Sequence, residues 1–313
     1  MRAPSHRQRG IALLTAIMLF AIATVLAVAI GFATTMTARR AVANSSFDTA
    51  LMYSQGAEAL AAVALTEDQN NEDSPDESWA QPYGPVEIAP DALITAQLED
   101  LDGRFNINSL IDKDGVADPV AVATFTRLLE ILGLESKWAQ LLTDWIDIDN
   151  QPTLPDGGED SYYLAQTPPY RPPNLPVTTI TELMSLPGFD IERFNRLAPH
   201  ITALPPDPQR KINLCTASGA VLDALHGTQL QFSLDEAALQ RNRERGCFPT
   251  PDTFLDTVSA EARQQISDRV GKTSADFLLT SYVTIGTTEM ALYSLVQRDR
   301  NQIRVIRRSQ TPN

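Results

Sequence analysis

From Ile11 to Met36 the chain runs for 26 residues without a charged side chain. As a helix rising about 1.5 Å per residue, this run spans roughly 39 Å, enough to cross a bilayer with some tilt. One membrane span is therefore implied. The leader ahead of it carries Arg2, Arg7 and Arg9 and no acid. The positive-inside bias keeps that leader cytoplasmic and sends everything after Met36 across the membrane. A cleaved secretory signal fits poorly. The run is about twice a usual h-region, and in "ARRAVANSS" two arginines stand just before the A-x-A triplet that would have to be the cleavage site. An uncleaved signal anchor fits the run but predicts no special residue at the leader boundary, where Gly10 stands directly before Ile11.

The exported part is globular and acidic. At 313 residues and 43% hydrophobic, the chain can bury a sizeable core in two or three units. Its 39 acids against 25 bases argue against a nucleic-acid or anionic-lipid surface, which needs clustered Lys and Arg, and favour divalent cations.

Hydrophobic spacing orders the rest. Residues 37–66 continue the membrane helix without proline, and Phe47, Leu51, Ala59 and Val63 fall in one i+4 register expected to lie on a partner surface. A polar, acidic loop follows, and residues 67–114 form the first part of a sheet domain. Within it, "ALITAQLEDLDGRFNINSL" reads as strand, Asp102-Gly103 turn, strand. Residues 115–209 are a first helical insertion, with helices in "VAVATFTRLLEILGL" and "KWAQLLTDWI", an acidic loop, and two helices around Leu186-Pro187-Gly188. Residues 210–274 are a second helical unit. Residues 275–313 return to strand periodicity, with Asp299 to Asn301 as a turn, and complete the sheet.

Chemistry concentrates in "DWIDIDNQPTLPDGGED". Asp144, Asp147, Asp149, Asp156, Glu159 and Asp160 crowd there without one Lys or Arg. Carboxylates are hard ligands that suit Ca²⁺, and the Pro- and Gly-rich loop can fold back on itself; a solvated acidic loop is the alternative. The spacing is not that of an EF-hand, because Pro152 and Gly158 stand where that loop requires glycine and a bidentate acid. Cys215 and Cys247 are the only cysteines; in an oxidising compartment a disulfide is the default, against two buried thiols. His200 and His226 end helical stretches and adjoin no nucleophile motif, so no catalytic site is read. "TELMSLPGFDIERFNRLAPHI" resembles a helix-hairpin-helix, but Asp190 and Glu192 follow its turn, which favours packing over DNA.

A basic leader ending in glycine before an apolar helix resembles the processing site of type IV prepilins and type II secretion pseudopilins. Beyond the leader, "LEDLDGRFNINSL", "LTDWIDIDNQP", "GGEDSYY", "YRPPNLPVTTITELMSLPG" and "INLCTASGAVLDAL" occur in the order found in the K family of type II secretion minor pseudopilins. The resemblance covers nearly the whole chain. It implies an α+β pseudopilin fold in which a long N-terminal transmembrane helix packs on a small antiparallel sheet interrupted by a large, mostly α-helical insertion. It implies prepilin-peptidase cleavage between Gly10 and Ile11 with N-terminal methylation, a Cys215–Cys247 disulfide, and structural Ca²⁺ on Asp147, Asp149, Glu159 and Asp160. The partners it implies are minor pseudopilins I and J and the inner membrane, with no nucleic acid; the place is the tip of a periplasmic pseudopilus. A type IV pilus tip subunit and an exported DNA receptor are the competing readings. The fifth residue after the cleavage site, glutamate in most pilin-like subunits, is here Thr15.

Overall fold

The computed structural model describes residues 9–68, 71–227, 230–243, 246–299 and 302–311, with backbone alone for residues 9–11 and 236. Leader residues Arg2, His6 and Arg7 lie outside them, as does Asn301 of the last turn, and the side chains of Arg9 and Ile11, which flank Gly10, are likewise not described.

Helix α1 runs unbroken over Arg9–Glu67. Nothing in this stretch forces a break: it holds no proline, and its interior threonines return their hydroxyls to their own helix, as Thr24 does to the Phe20 carbonyl at 2.8 Å. A donor bonded within the helix needs no solvent partner, which suits an apolar surround. Among the described residues α1 is the one helix long and apolar enough to cross a membrane by length and composition.

Its second half lies on a five-stranded antiparallel sheet. The strands are β1 (Tyr83–Ala89), β2 (Ala92–Asp100), β7 (Asp276–Ile285), β8 (Thr288–Asp299) and β9 (Gln302–Ser309), in the spatial order β1-β2-β7-β8-β9. Alternate residues of the central strands, Ile94, Leu98, Phe277, Leu279, Val283, Met290 and Leu292, turn toward α1. The helix answers with Ala50, Ala57, Ala61 and Leu65. This corrects the expected contact face: Phe47 and Leu51 are partly buried there, but Ala59 and Val63 are exposed. A strict i+4 row drifts by about 40° per step at 3.6 residues per turn, so four steps carry Val63 about 160° round the helix. Small alanines are what allow the helix to lie close on the sheet. The Glu58 carboxylate pins it further, accepting from Ser294 Oγ at 2.6 Å and from both Nε and Nη2 of Arg308 at 2.7 Å.

β2 and β7 are adjacent antiparallel partners, Asp100 opposite Phe277, and everything between them in sequence leaves the sheet there. This insertion holds β3 (Phe105–Asn106), α2 (Pro119–Ile131), α3 (Lys137–Ile146), α4 (Asp160–Leu164), α5 (Ile191–Leu197), β4 (Ile201–Thr202), β5 (Ile212–Asn213), α6 (Gly219–His226), α7 (Glu236–Asn242), α8 (Pro251–Leu255), α9 (Ala260–Ile266) and β6 (Val270–Gly271). Its two helical stretches share one apolar core, in which Phe125, Leu128 and Trp138 of the first meet Leu222, Phe248 and Phe254 of the second. Two strand expectations change. β1, inside what read as the end of a polar loop, is a nearly fully exposed edge strand. After β2, Asp102-Gly103 makes no hairpin: β3 pairs in parallel with β4, and Ile107 begins a 3-10 helix over Ile107–Leu110. Gly103 is required for closeness instead, since a Cβ there would come within 2.8 Å of the Thr216 carbonyl carbon and 3.0 Å of the Ala217 nitrogen.

The seam between sheet and insertion is polar and buried. The Asn213 side-chain amide donates to the Asp73 carbonyl at 2.8 Å, Asp100 Oδ2 at 3.0 Å and Ser274 Oγ at 2.8 Å. Asp102 Oδ2 accepts the Ala275 and Asp276 backbone N–H groups at 2.6 and 3.1 Å. Arg210 bridges Asp102 and Asp276 at 3.2 and 2.6 Å. Segments that stood out in the sequence, "LEDLDGRFNINSL" and "INLCTASGAVLDAL", thus meet in space at this seam.

Candidate metal centre

The acidic loop closes on itself at the end of α3. Asp144 lies on the buried side of that helix, and Asp147 caps its C-terminus, its N–H donating to the Thr143 carbonyl at 2.9 Å. The chain then turns back: Asp144 Oδ2 accepts from Thr153 N at 2.9 Å, and Gly157 N donates to the Thr153 carbonyl at 2.7 Å. Gly157 permits this, because a Cβ would collide with the Asp144 carboxylate and stand 2.6 Å from the Thr153 nitrogen. From outside, Asn174 Nδ2 donates to the Asp149 carbonyl at 2.7 Å.

The result brings Asp147, Asp149 and Glu159 together, one carboxylate oxygen of each within 4.8 Å of the others. Asp147 and Glu159 are 4% exposed, yet Asp147 Oδ1, both Glu159 oxygens and Asp144 Oδ1 have no hydrogen-bond partner. Leaving several buried charged acceptors unmade is costly unless something positive meets them. Glu159 occupies the N-cap position of α4 without using its side chain as a cap, and Asp147 sits at the negative end of the α3 dipole. Burial first, then the neighbouring carboxylates, push Asp147 and Glu159 each up to about 7, and burial raises Asp144 as well. An all-oxygen set of this kind fits a hard divalent cation such as Ca²⁺. Trp145 and Tyr163, neighbours of these acids in the chain, pack edge to face with ring centroids 5.2 Å apart and are both buried in the core.

Asp160 stands apart from that set, in the first turn of α4, with Oδ2 3.2 Å from Arg171 Nη1. Asp144, not named as a ligand from the sequence, lines the cluster; its signal was the three-residue spacing to Asp147, which puts both on one helix face. Cys215 and Cys247 form a disulfide. Thr15 lies on the apolar part of α1, its hydroxyl donating to the Ala12 carbonyl at 3.0 Å. The helix-hairpin-helix likeness resolves into a 3-10 helix over Ile180–Ser185, Gly188 at φ +87°, and α5. Its arginines are engaged with acids, Arg193 with Glu135 at 2.8 Å and Asp190 at 2.6 Å, Arg196 with Glu192 at 3.2 Å, while Phe189 packs edge-on to Trp138.

The family model for type II secretion system (T2SS), protein K, matches residues 103–206. The type II secretion system protein K of Klebsiella pneumoniae is 34% identical over 97% of this chain and 97% of that protein. Its namesake in Pseudomonas aeruginosa is 30% identical over 96% of this chain and 92% of that protein. The fold superposes with a TM-score of 0.77 and 26% identity on a chain of the GspK-GspI-GspJ complex from the enterotoxigenic Escherichia coli Type 2 Secretion System, covering 88% of this chain and 100% of that one. With 34% and 30% identity over nearly the full length of two relatives and a shared fold in one solved structure, this chain belongs to the type II secretion system protein K family, the minor pseudopilins K.

Proposed function

We propose that this chain is the tip subunit of a periplasmic pseudopilus, where it helps to start assembly and caps the filament that pushes folded proteins through the outer membrane. Prepilin peptidase cuts between Gly10 and Ile11 and methylates the new N-terminus. α1 then holds the subunit in the inner membrane as a single pass, N-terminus cytoplasmic and bulk periplasmic. Minor pseudopilins I and J are its partners, as GspI and GspJ are of GspK in the solved complex. The role is mechanical rather than catalytic.

One observation carries this reading. The insertion leaves the sheet at the end where α1 stops: Arg298 of β8 contacts Asp68, one residue past α1, and also the Ser274 carbonyl, where the insertion returns to β7. The bulk therefore sits at the membrane-distal end, over the place a further subunit would occupy in a filament fed from the membrane. Ca²⁺ on Asp147, Asp149 and Glu159, lined by Asp144 and with Asp160 adjoining, rigidifies the loop within that cap.

Mass spectrometry of the mature protein, joined to co-purification with minor pseudopilins I and J, tests the proposal. The expected result is an N-methylated Ile11 terminus and a ternary complex. An intact Met1 terminus, or no complex, would contradict it.

A further inference from the structure

A second crowd of acids lies where α1 ends. Glu67, Asp68, Glu72, Asp73, Asp76 and Glu77 follow one another without a base between them. They stand at the C-terminus of a 59-residue helix, where the dipole is already negative. Asp68, Asp73 and Glu77 each bring an oxygen within 4.8 Å of the others. Asp68 and Asp73 are thus like charges held close together at that helix end, an arrangement that costs repulsion unless a cation meets them.

Hydrogen bonds account for only part of this group. Asp73 is 1% exposed; its Oδ2 accepts from Ser274 N at 2.7 Å and from Arg298, but its buried Oδ1 has no partner. Arg298 cannot supply one, since its Nη1 meets Asp68 at 3.3 Å and its Nη2 is shared by Asp73 and the Ser274 carbonyl. Glu77 Oε2 is fixed by Ser74 N at 2.9 Å and Trp79 Nε1 at 2.8 Å. Asp68 and Asp73 thus share one guanidinium, and the buried Asp73 Oδ1 is left without a hydrogen-bond partner. Lys272 is engaged by Glu72.

We propose that Asp68, Asp73 and Glu77 form a second divalent-cation site, of the all-oxygen kind that takes Ca²⁺, distinct from the cluster around Asp147. Asp68 and Glu77 are only half-buried, which leaves water free to complete the coordination. The ion would join the end of α1, the loop after it and, through Arg298, β8. It would fasten the membrane helix to the sheet at the point where the insertion also attaches.

Trp79, bonded to Glu77, is a built-in reporter. The full-length chain in detergent, carrying Asp147→Asn and Glu159→Gln so that the first cluster is disabled, is titrated with Ca²⁺ by calorimetry and with Tb³⁺ by tryptophan-sensitised emission. Adding Asp73→Asn and Glu77→Gln should remove one equivalent of bound Ca²⁺, and Trp79→Phe alone should remove most of the Tb³⁺ emission while leaving Ca²⁺ stoichiometry unchanged. Should the double variant fail to fold, Asp68→Asn, at the less buried of the two aspartates, should weaken the same equivalent at least tenfold. Unchanged stoichiometry in the site variants, or emission indifferent to Trp79→Phe, would overturn the proposal. Neither result bears on the Asp147 cluster.

Discussion

Single residues hold this fold where loops must cross. Asn108, fully inside, donates to the Val177 and Leu204 carbonyls at 2.9 Å each and accepts the Val177 N–H at 2.9 Å. Asn108→Ala removes three hydrogen bonds and leaves the Val177 N–H and carbonyl without these partners, the Leu204 carbonyl keeping Asn106 Nδ2 at 3.3 Å, so it should cost roughly 3 kcal/mol, read as a lower urea midpoint. Thr15 is a different case. Its hydroxyl is satisfied within its own helix, so it asks nothing of a neighbour, whereas a carboxylate in an apolar filament core is expensive without an adjoining N-terminal amine. A Thr15→Glu variant is therefore expected to enter the filament shaft as well as the tip, seen by crosslinking to shaft subunits; crosslinks identical to wild type would leave Thr15 without a role in placement. The sequence made Asp147, Asp149 and Glu159 visible because charge crowding is visible. It could not show that Asp160 turns to Arg171, because that depends on where the chain 11 residues on returns.

Among the elements, the joint between sheet and insertion is the sensitive one. Asp100, Asp102 and Asp276 are buried there, the latter two against Arg210. Burial foremost lifts Asp100 to about 6, and burial with the Asp100 and Asp276 carboxylates lifts Asp102 to about 7, from ordinary values near 3.8. Between about pH 4 and pH 7 the folded state therefore binds more protons than the unfolded one, and stability falls as pH rises through that window. Urea midpoints at saturating Ca²⁺ should be higher near pH 5 than near pH 7.5, and Asp102→Asn should flatten the difference. The strands at this joint also mark the limit of sequence reading. β7, β8 and β9 were legible because alternation with turns is a local signal. A strand at Phe105 was legible too, but its parallel pairing with β4 was not, since two residues carry no trace of a distant partner, and Gly103 looked like a hairpin residue when its task is close approach to Thr216. The contact face of α1 was misplaced for a related reason: large residues draw the eye, but the sheet selects the alanines.

At the scale of the molecule, the long helix, the sheet split by an insertion and the disulfide could all be read from the chain, because each leaves a long or strongly patterned trace. That both helical stretches share one core could not, since that core joins residues as distant in sequence as Phe125 and Leu222. If the Asp147 cluster holds Ca²⁺, chelation should lower the melting temperature of the full chain by several degrees; an unchanged value would leave the cluster a solvated loop. A tip position requires the insertion to cover the membrane-distal end of α1 in the assembled filament. An epitope placed at exposed Leu234 in the insertion, detected by gold labelling on isolated pseudopili, tests it most directly. The account predicts label at one end of each filament; label distributed along the shaft would contradict it.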